Sequence, residues 1–318
     1  MGMLVQGRWE IDGRFPTEDG HFVRVKSTFR DWVTSDGSSG FPAQTGRYHL
    51  YLAWACPWAH RSQIFRKLKG LEDAISISIV DHFMGDRGWV FSDGPGCVPD
   101  SVNGAKTMFE IYQLADPGFT GRVTVPVLWD KQSATIVNNE SADIIRMLNS
   151  AFDAFGNADM DFYPGDLATE IDTVNALVYE DVNNGVYKCG FAESQRAYEK
   201  AFDALFTALD GLEARLDSQR YLVGNRITEA DWRLFPTLLR FDAVYVGHFK
   251  CNLRRIDDYP NLGNYLRDLY QMPGIAETVD MDHIKRHYYA SHETVNPTRI
   301  VPKGPGLDFN APHDRDRF

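Results

Sequence analysis

Residues 51–60 read YLAWACPWAH: an apolar run, then Cys56 and Pro57, then a segment suited to starting a helix. Strand, cysteine, proline and helix follow one another here as they do around the first thiol of a C-x-x-C redox motif. Ala59 occupies the position of the second thiol. The chain therefore offers a redox-placed cysteine that has no resolving partner within its own motif.

Working outward, residues 48–56 form an apolar, partly aromatic strand candidate. Pro57 suits a first helical position, where its missing N–H is not needed. The following PWAHRSQIFRKLKG carries Trp58, Ile64, Phe65 and Leu68 at helical spacing and stops at Gly70. AISISIVD (74–81) alternates apolar residues with serine, a period-two strand signal. Residues 82–120 read as irregular, with DRGWVFSDGPGCVPD at their centre. VTVPVLWD (123–130) and SATIV (133–137) predict two strands joined by a turn at DKQS. NNESADIIRMLNSAF then predicts a helix with Ile144, Ile145 and Leu148 on one face. Strand–helix–strand, a connection, then strand–strand–helix is the thioredoxin-like order. Pro126 inside VTVPV is wrong for a central strand. It fits a cis-proline at a strand entrance, with free backbone turned to a ligand.

From about residue 166 the strand signals cease. VNALVYEDVNNG, YEKAFDALFTALDGLEARLD and YPNLGNYLRDLYQMPGI carry helical periodicity, with Phe202, Leu205, Phe206, Leu209, Leu212 and Leu216 forming one stripe. ITEADWRLFPTLLRF opens with Thr228 and, three residues later, Asp231, close to a capping box. The expected organisation is an extension or loose arm over 1–45, a thioredoxin-like α/β domain over 46–151 and a linker over 152–165. An all-helical domain over 166–295 and a Pro/Gly-rich tail over 296–318 complete it.

Composition narrows the function. At 318 residues, 43% hydrophobic and 24% charged, the chain is long enough for two globular domains. A net charge of −11 argues against nucleic acid and against anionic membrane surfaces as partners. No run approaches the length of a membrane span, and MGMLVQGRWEIDG lacks the pattern of a secretory signal. Cys56, Cys97, Cys189 and Cys251 are scattered without metal-type pairing, which predicts no metal and a reducing, cytoplasmic setting.

A cysteine at a helix N-terminus is favoured as thiolate by the unpaired N–H groups and the dipole there, and His60 and Arg61 add positive charge one turn on. The bland alternative is a buried thiol acting as a small hydrophobe, the reading given to Cys97, Cys189 and Cys251. A monothiol enzyme must take its second thiol from solution, and in the cytosol glutathione is the abundant one. Glu140–Ser141, opening a helix, offers backbone N–H groups and a hydroxyl to the α-carboxylate of a γ-glutamyl group. Val125, before Pro126, offers its N–H and C=O to the cysteinyl part in strand-like pairing. Taken alone, Glu140–Ser141 is an ordinary capping pair.

These residues carry a resemblance. CPWAHR (56–61), GRVTVPVLWD (121–130), NNESADIIRM (138–147), VNNGVYKCGF (182–191), RFDAVYVGHFKC (240–251), YQMPGIAETV (270–279) and the Pro/Gly-rich tail resemble motifs of the Xi-class glutathione transferases, the glutathionyl-hydroquinone reductases. The resemblance spans the chain and implies a thioredoxin-like domain followed by the all-helical glutathione-transferase C-terminal domain. It implies glutathione as co-substrate and glutathionyl-hydroquinones as substrates. Cys56 would attack the glutathione sulfur, and a second glutathione would release it as oxidised glutathione. Trp89 and Arg122 would join Val125, Glu140 and Ser141 in holding glutathione, while Tyr187 and Tyr288 would hold the hydroquinone. It implies a homodimer as well. Trp89 packing its own loop, Arg122 as a surface cation, and Tyr187 and Tyr288 as core tyrosines are the plain alternatives. Competing functions are an omega-like thioltransferase or dehydroascorbate reductase using the same cysteine, a non-catalytic quinone-binding carrier, and a docking subunit.

Overall fold

The structure is a computed structural model that describes residues 2–11, 13 and 16–318. It divides into two compact units. One comprises Met1–Arg14, Lys26–Met160 and Thr278–His287; the other comprises Phe15–Val25, Asp161–Glu277 and Tyr288–Phe318.

In the first unit the order is β1 (Tyr48–Leu52), α1 (Pro57–Leu68), β2 (Ser76–Ile79), α2 (Met108–Ala115), β3 (Val127–Asp130), β4 (Thr135–Asn138) and α3 (Ser141–Ser150). The sheet order is β4-β3-β1-β2. β1 and β2 run parallel, with Leu50 opposite Ile77, so a crossover must join them, and α1 is that crossover. β3 lies antiparallel to β1, and β4 antiparallel to β3. All five residues of β1 are buried, as a strand covered on both faces requires. α1 packs on α3. α1 stops where Gly70 adopts φ +64°, a conformation costly for residues with a Cβ.

Ser78 of β2 is fully buried and Ser76 half-buried. His49 of β1 meets the Ser76 hydroxyl at 2.8 Å and the Ser78 hydroxyl at 3.0 Å. Helix α2 lies within the stretch read as irregular. Met108, Ile111 and Tyr112 are its buried face.

The expected loose arm is bound over much of its length. Leu4 is fully buried and exchanges two 2.9 Å backbone hydrogen bonds with Gly121. The Trp9 ring stacks on Phe109 at 4.8 Å. Farther along, Asp31 N–H donates to the Val137 carbonyl and Asn139 N–H to that of Phe29, extending the edge of β4. Residues 16–25 belong to the second unit. Residues 1, 12, 14 and 15 of the arm lie outside the described residues.

The second unit is helical: α4 (Ala168–Leu177), a π-helical turn Val178–Asn183, α5 (Gly185–Gly190), α6 (Gln195–Leu216), α7 (Glu229–Arg240), a second π-turn Phe241–Tyr245 and α8 (Pro260–Gln271). A further helix, α9 (Met281–Ser291), is divided after His287 between the two units. The capping pair read at the start of α7 is present. The buried Asp231 carboxylate accepts from Thr228 N–H at 2.8 Å, Leu222 N–H at 2.9 Å and the Tyr265 hydroxyl at 2.7 Å. The tail is pinned by the fully buried Arg315, which donates to the Leu216 carbonyl at 2.8 Å and to that of Arg220 at 2.9 Å. No helix among the described residues is long and apolar enough to cross a membrane.

Candidate active site

β1 ends at Leu52, and Ala53–Ala55 turn the chain so that Cys56 becomes the N-cap of α1, with extended dihedrals (φ −77°, ψ 119°) and Pro57 at the first helical position. The cysteine side chain therefore sits at the end of the helix where unpaired N–H groups gather. Cys56 is half-buried and in no disulfide. Its Sγ lies 3.4 Å from the Val125 carbonyl oxygen. The Val125–Pro126 bond is cis, as the sequence led us to expect. Cys56 and Val125, separate in sequence, thus meet through the antiparallel pairing of β1 with β3.

The start of α3 lies near α1. Ser141 is buried, and its Oγ accepts from Arg61 Nη1 at 3.4 Å. Arg61 also lies 4.5 Å over the Trp58 ring. Glu140 is the N-cap, its Oε1 accepting from Ala142 N–H at 3.2 Å and its Oε2 from the Ser27 hydroxyl at 3.0 Å. The expectation that the backbone N–H groups here stand open to a ligand carboxylate is therefore modified. Glu140 caps one of them itself, and a ligand would compete with it for the Ala142 N–H.

His60 is buried, with Nε2 2.8 Å from the Thr278 hydroxyl. Trp89, also buried, stacks on His287 with ring centroids 4.7 Å apart and planes 20° from parallel. His287 Nδ1 lies 2.8 Å from the His82 carbonyl, so that nitrogen carries the proton. Arg122 is half-buried and donates to the Gly13 carbonyl at 3.2 Å; burial pulls its pKa below the usual guanidinium value.

In the helical unit Tyr187 and Tyr288, 101 residues apart, place their hydroxyls 2.7 Å from each other. A third, Tyr245, stands 3.0 Å from the Tyr288 hydroxyl. Burial pushes the hydroxyls of Tyr245 and Tyr288 well above the ordinary phenol value, so both are neutral donors at physiological pH. Phe191 and Phe249 pack beside Tyr187 at 6.2 and 5.5 Å. Sequence reasoning named Arg61 only as a positive charge near Cys56, and it missed Tyr245, Ser27 and His287. For Tyr245 the signal was present in RFDAVYVGHFKC. Among the described residues no group of three or more His, Cys, Asp or Glu is arranged to hold a metal ion.

A thioredoxin-like sheet with a lone cysteine at the start of α1, next to a helical unit in sequence, defines a glutathione transferase. Family models agree: residues 55–151 match the glutathione S-transferase N-terminal domain and residues 195–268 the C-terminal domain. The chain is 54% identical to the glutathionyl-hydroquinone reductase YqjG of Escherichia coli, over 99% of each chain. It is also 54% identical to the glutathionyl-hydroquinone reductase PcpF of Sphingobium chlorophenolicum, over 96% of each. The glutathione-bound structure of YqjG superposes with a TM-score of 0.93 over all of both chains. A Xi-class transferase from Natrialba magadii superposes with a TM-score of 0.94 at 50% identity, over 100% of this chain and 97% of its own. This chain belongs to the Xi class of the glutathione transferases, the class of the glutathionyl-hydroquinone reductases.

Proposed function

We propose that the protein reduces glutathionyl-hydroquinones to hydroquinones at the expense of glutathione. The observation that carries this is Cys56: a single thiol at the N-terminus of α1, 3.4 Å from the carbonyl before a cis-proline, with Ala59 in the resolving position. The full-length similarity to two named reductases supports the same reading.

In this reaction glutathione lies along Val125, whose backbone pairs with the cysteinyl residue, while Ser141 and Glu140 hold the γ-glutamyl end. Trp89 and Arg122 complete the grip. Tyr187 and Tyr288 hold the hydroquinone. An aryl thioether is a poor target for a thiol, so the ring first ketonises: the carbon bearing sulfur gains a proton from a phenol donor and a ring hydroxyl loses one. Cys56 thiolate then attacks the glutathione sulfur. The S–S bond forms as the C–S bond breaks, and its electron pair restores the aromatic ring. A second glutathione thiolate attacks the mixed disulfide, releasing oxidised glutathione and Cys56 thiolate. The aryl carbon is reduced by two electrons, and the thioether sulfur of the substrate and the sulfur of the incoming glutathione are together oxidised by two. We assign the enzyme to the cytoplasm, where glutathione is kept reduced, and to a homodimer.

The test is turnover of glutathionyl-menadiol with excess glutathione by the wild type and by Cys56→Ser, with a mass spectrum of the protein. A glutathione-sized adduct on the wild type and loss of turnover in the variant are expected. Equal turnover by the two would remove Cys56 from the chemistry. A mixed-disulfide substrate assayed alongside separates the reductase from a thioltransferase by relative kcat/KM.

A further inference from the structure

In the proposed reaction a phenol gives its proton to the ring; where Tyr187 is that phenol, what touches its own ring bears on the rate. One face is covered by the arm segment that joins the helical unit. Thr17–Glu18 and His21–Phe22 pair as a short hairpin turned by Asp19 and Gly20, both at positive φ. The turn is fixed at the start of α6. Gly20 C=O accepts from Glu193 N–H at 2.9 Å, and the Thr17 hydroxyl donates to the Glu193 carboxylate at 3.0 Å. A Cβ on Gly20 would come within 2.9 Å of the Ser194 hydroxyl, so the approach there requires glycine.

Beyond this anchor, buried Phe22 packs on Phe191 at 5.8 Å and on Tyr187 at 6.3 Å. Two residues on, the Arg24 guanidinium sits 4.8 Å from the centroid of the Tyr187 ring. Its Nε donates to the side-chain oxygen of buried Asn184. Asn184 caps α5 and Tyr187 lies on its first turn. The guanidinium is thus docked by the N-cap residue of α5 against a residue of its first turn.

We propose that Arg24 is a positioning residue of the reductase reaction: docked by Asn184, it fixes the Tyr187 ring and supplies the positive charge under which that phenol carries negative charge while its proton is away. The inference rests on the functional reading above. A guanidinium stays charged at every working pH. It interacts with a neutral phenol through the ring quadrupole alone, and with a phenolate through full opposite charge. The contact is therefore stronger when the proton has left than before, and an interaction of that kind appears in kcat and leaves substrate affinity alone. Tyr288, at the hydroxyl end of the same ring, serves by hydrogen bonding; Arg24 serves from the face.

The experiment compares wild type, Arg24→Met and Arg24→Lys. Met keeps the length of the side chain without its charge; Lys keeps charge without the planar fork. Arg24 is only half-buried on a short hairpin, and the melting temperature checks that each variant folds. Two reactions are followed: reduction of glutathionyl-menadiol, and reduction by glutathione of a small-molecule glutathione mixed disulfide, which needs no ring proton. Arg24→Met is expected to lower kcat for glutathionyl-menadiol on the order of 10-fold, the kinetic worth of a partly desolvated cation–π contact. Its KM for glutathione and its mixed-disulfide turnover stay at the wild-type level, and Arg24→Lys recovers most of the loss. Unchanged kcat in Arg24→Met, equal loss of both reactions, or no recovery by Lys would each overturn the assignment. A wild type that turns over the mixed disulfide but not glutathionyl-menadiol overturns the functional reading itself, and this inference with it.

Discussion

His49 gives the structure a measurable acid limb. Its imidazole is buried between Ser76 and Ser78 in the middle of the sheet. The Ser78 hydroxyl donates to the Pro99 carbonyl at 3.0 Å, so it accepts from His49 Nε2–H. Ser76 then donates to Nδ1, which leaves no room for a second ring proton without breaking the pair. Burial, aided by Lys131 and Arg66, lowers the His49 pKa from 6.5 to about 4. The folded pKa is depressed, so this contribution to stability is complete above the unfolded value. It is lost as pH falls from 6.5 toward 4 and changes no further below that. At roughly 1.4 kcal/mol per unit the full loss is about 3 kcal/mol, of which about half falls between pH 7 and pH 5. Urea unfolding of wild type and His49→Gln at those two pH values isolates it, because Gln keeps a hydrogen-bonding side chain and does not titrate. The wild type should lose about 2 kcal/mol more than the variant on acidification. Equal losses would mean that His49 is not held neutral, and the argument from burial would fail.

Ser141→Ala should raise the KM for glutathione about 10-fold or more, the worth of a hydrogen bond to a charged group, with kcat for bound substrate changed less; steady-state kinetics at varied glutathione decides it. Asp231→Ala removes the acceptor shared by Thr228, Leu222 and Tyr265 and should destabilise the helical unit by about 3 kcal/mol, read as a lower melting temperature. Replacing Cys97, Cys189 and Cys251 together by Ala should leave turnover with glutathionyl-menadiol near wild type and still give one oxidised glutathione per hydroquinone; a loss of turnover in a folded protein would reveal an internal resolving thiol.

What was legible in the sequence was whatever periodicity and punctuation encode. Trp58, Ile64, Phe65 and Leu68 marked α1, Gly70 its end, and Thr228 with Asp231 the start of α7. Helix α2 was missed because two turns between Gly-rich loops hold too few repeats of the i, i+3, i+4 pattern, although Met108, Ile111 and Tyr112 carry it. The two π-turns, Val178–Asn183 and Phe241–Tyr245, shift the helical register by one residue, which a fixed period cannot follow. The alternating serines correctly predicted β2, but their hydrogen bonds to His49 depend on the pairing of His49 with Ser76, a long-range register. The arm was illegible for a related reason: strands of two and three residues have no periodicity, and their partners, Gly121, Val137 and Glu193, lie far away in the chain. At the site, Cys56, Val125 and Ser141 were readable as types in a given order. The roles of Arg61, Tyr245 and Arg24 arise only once helices bring distant side chains together.

The remaining cysteines explain why the second thiol must come from outside. Cys251 is fully buried, and burial together with neighbouring Cys189 pushes its pKa well above the ordinary thiol value. Cys97 is raised as well, chiefly by burial, and its sulfur lies 3.3 Å from the Ser92 hydroxyl, within its own loop. A resolving thiol has to ionise, reach the mixed disulfide and attack along the S–S axis. Cys97 and Cys251 are shifted away from the first requirement, and Cys189 is shut inside the helical unit. With Ala59 in the motif, the route left to the proposed reaction is a thiolate that diffuses in, so the proposed glutathione site beside Cys56 and the alanine in place of a second motif cysteine belong to one design.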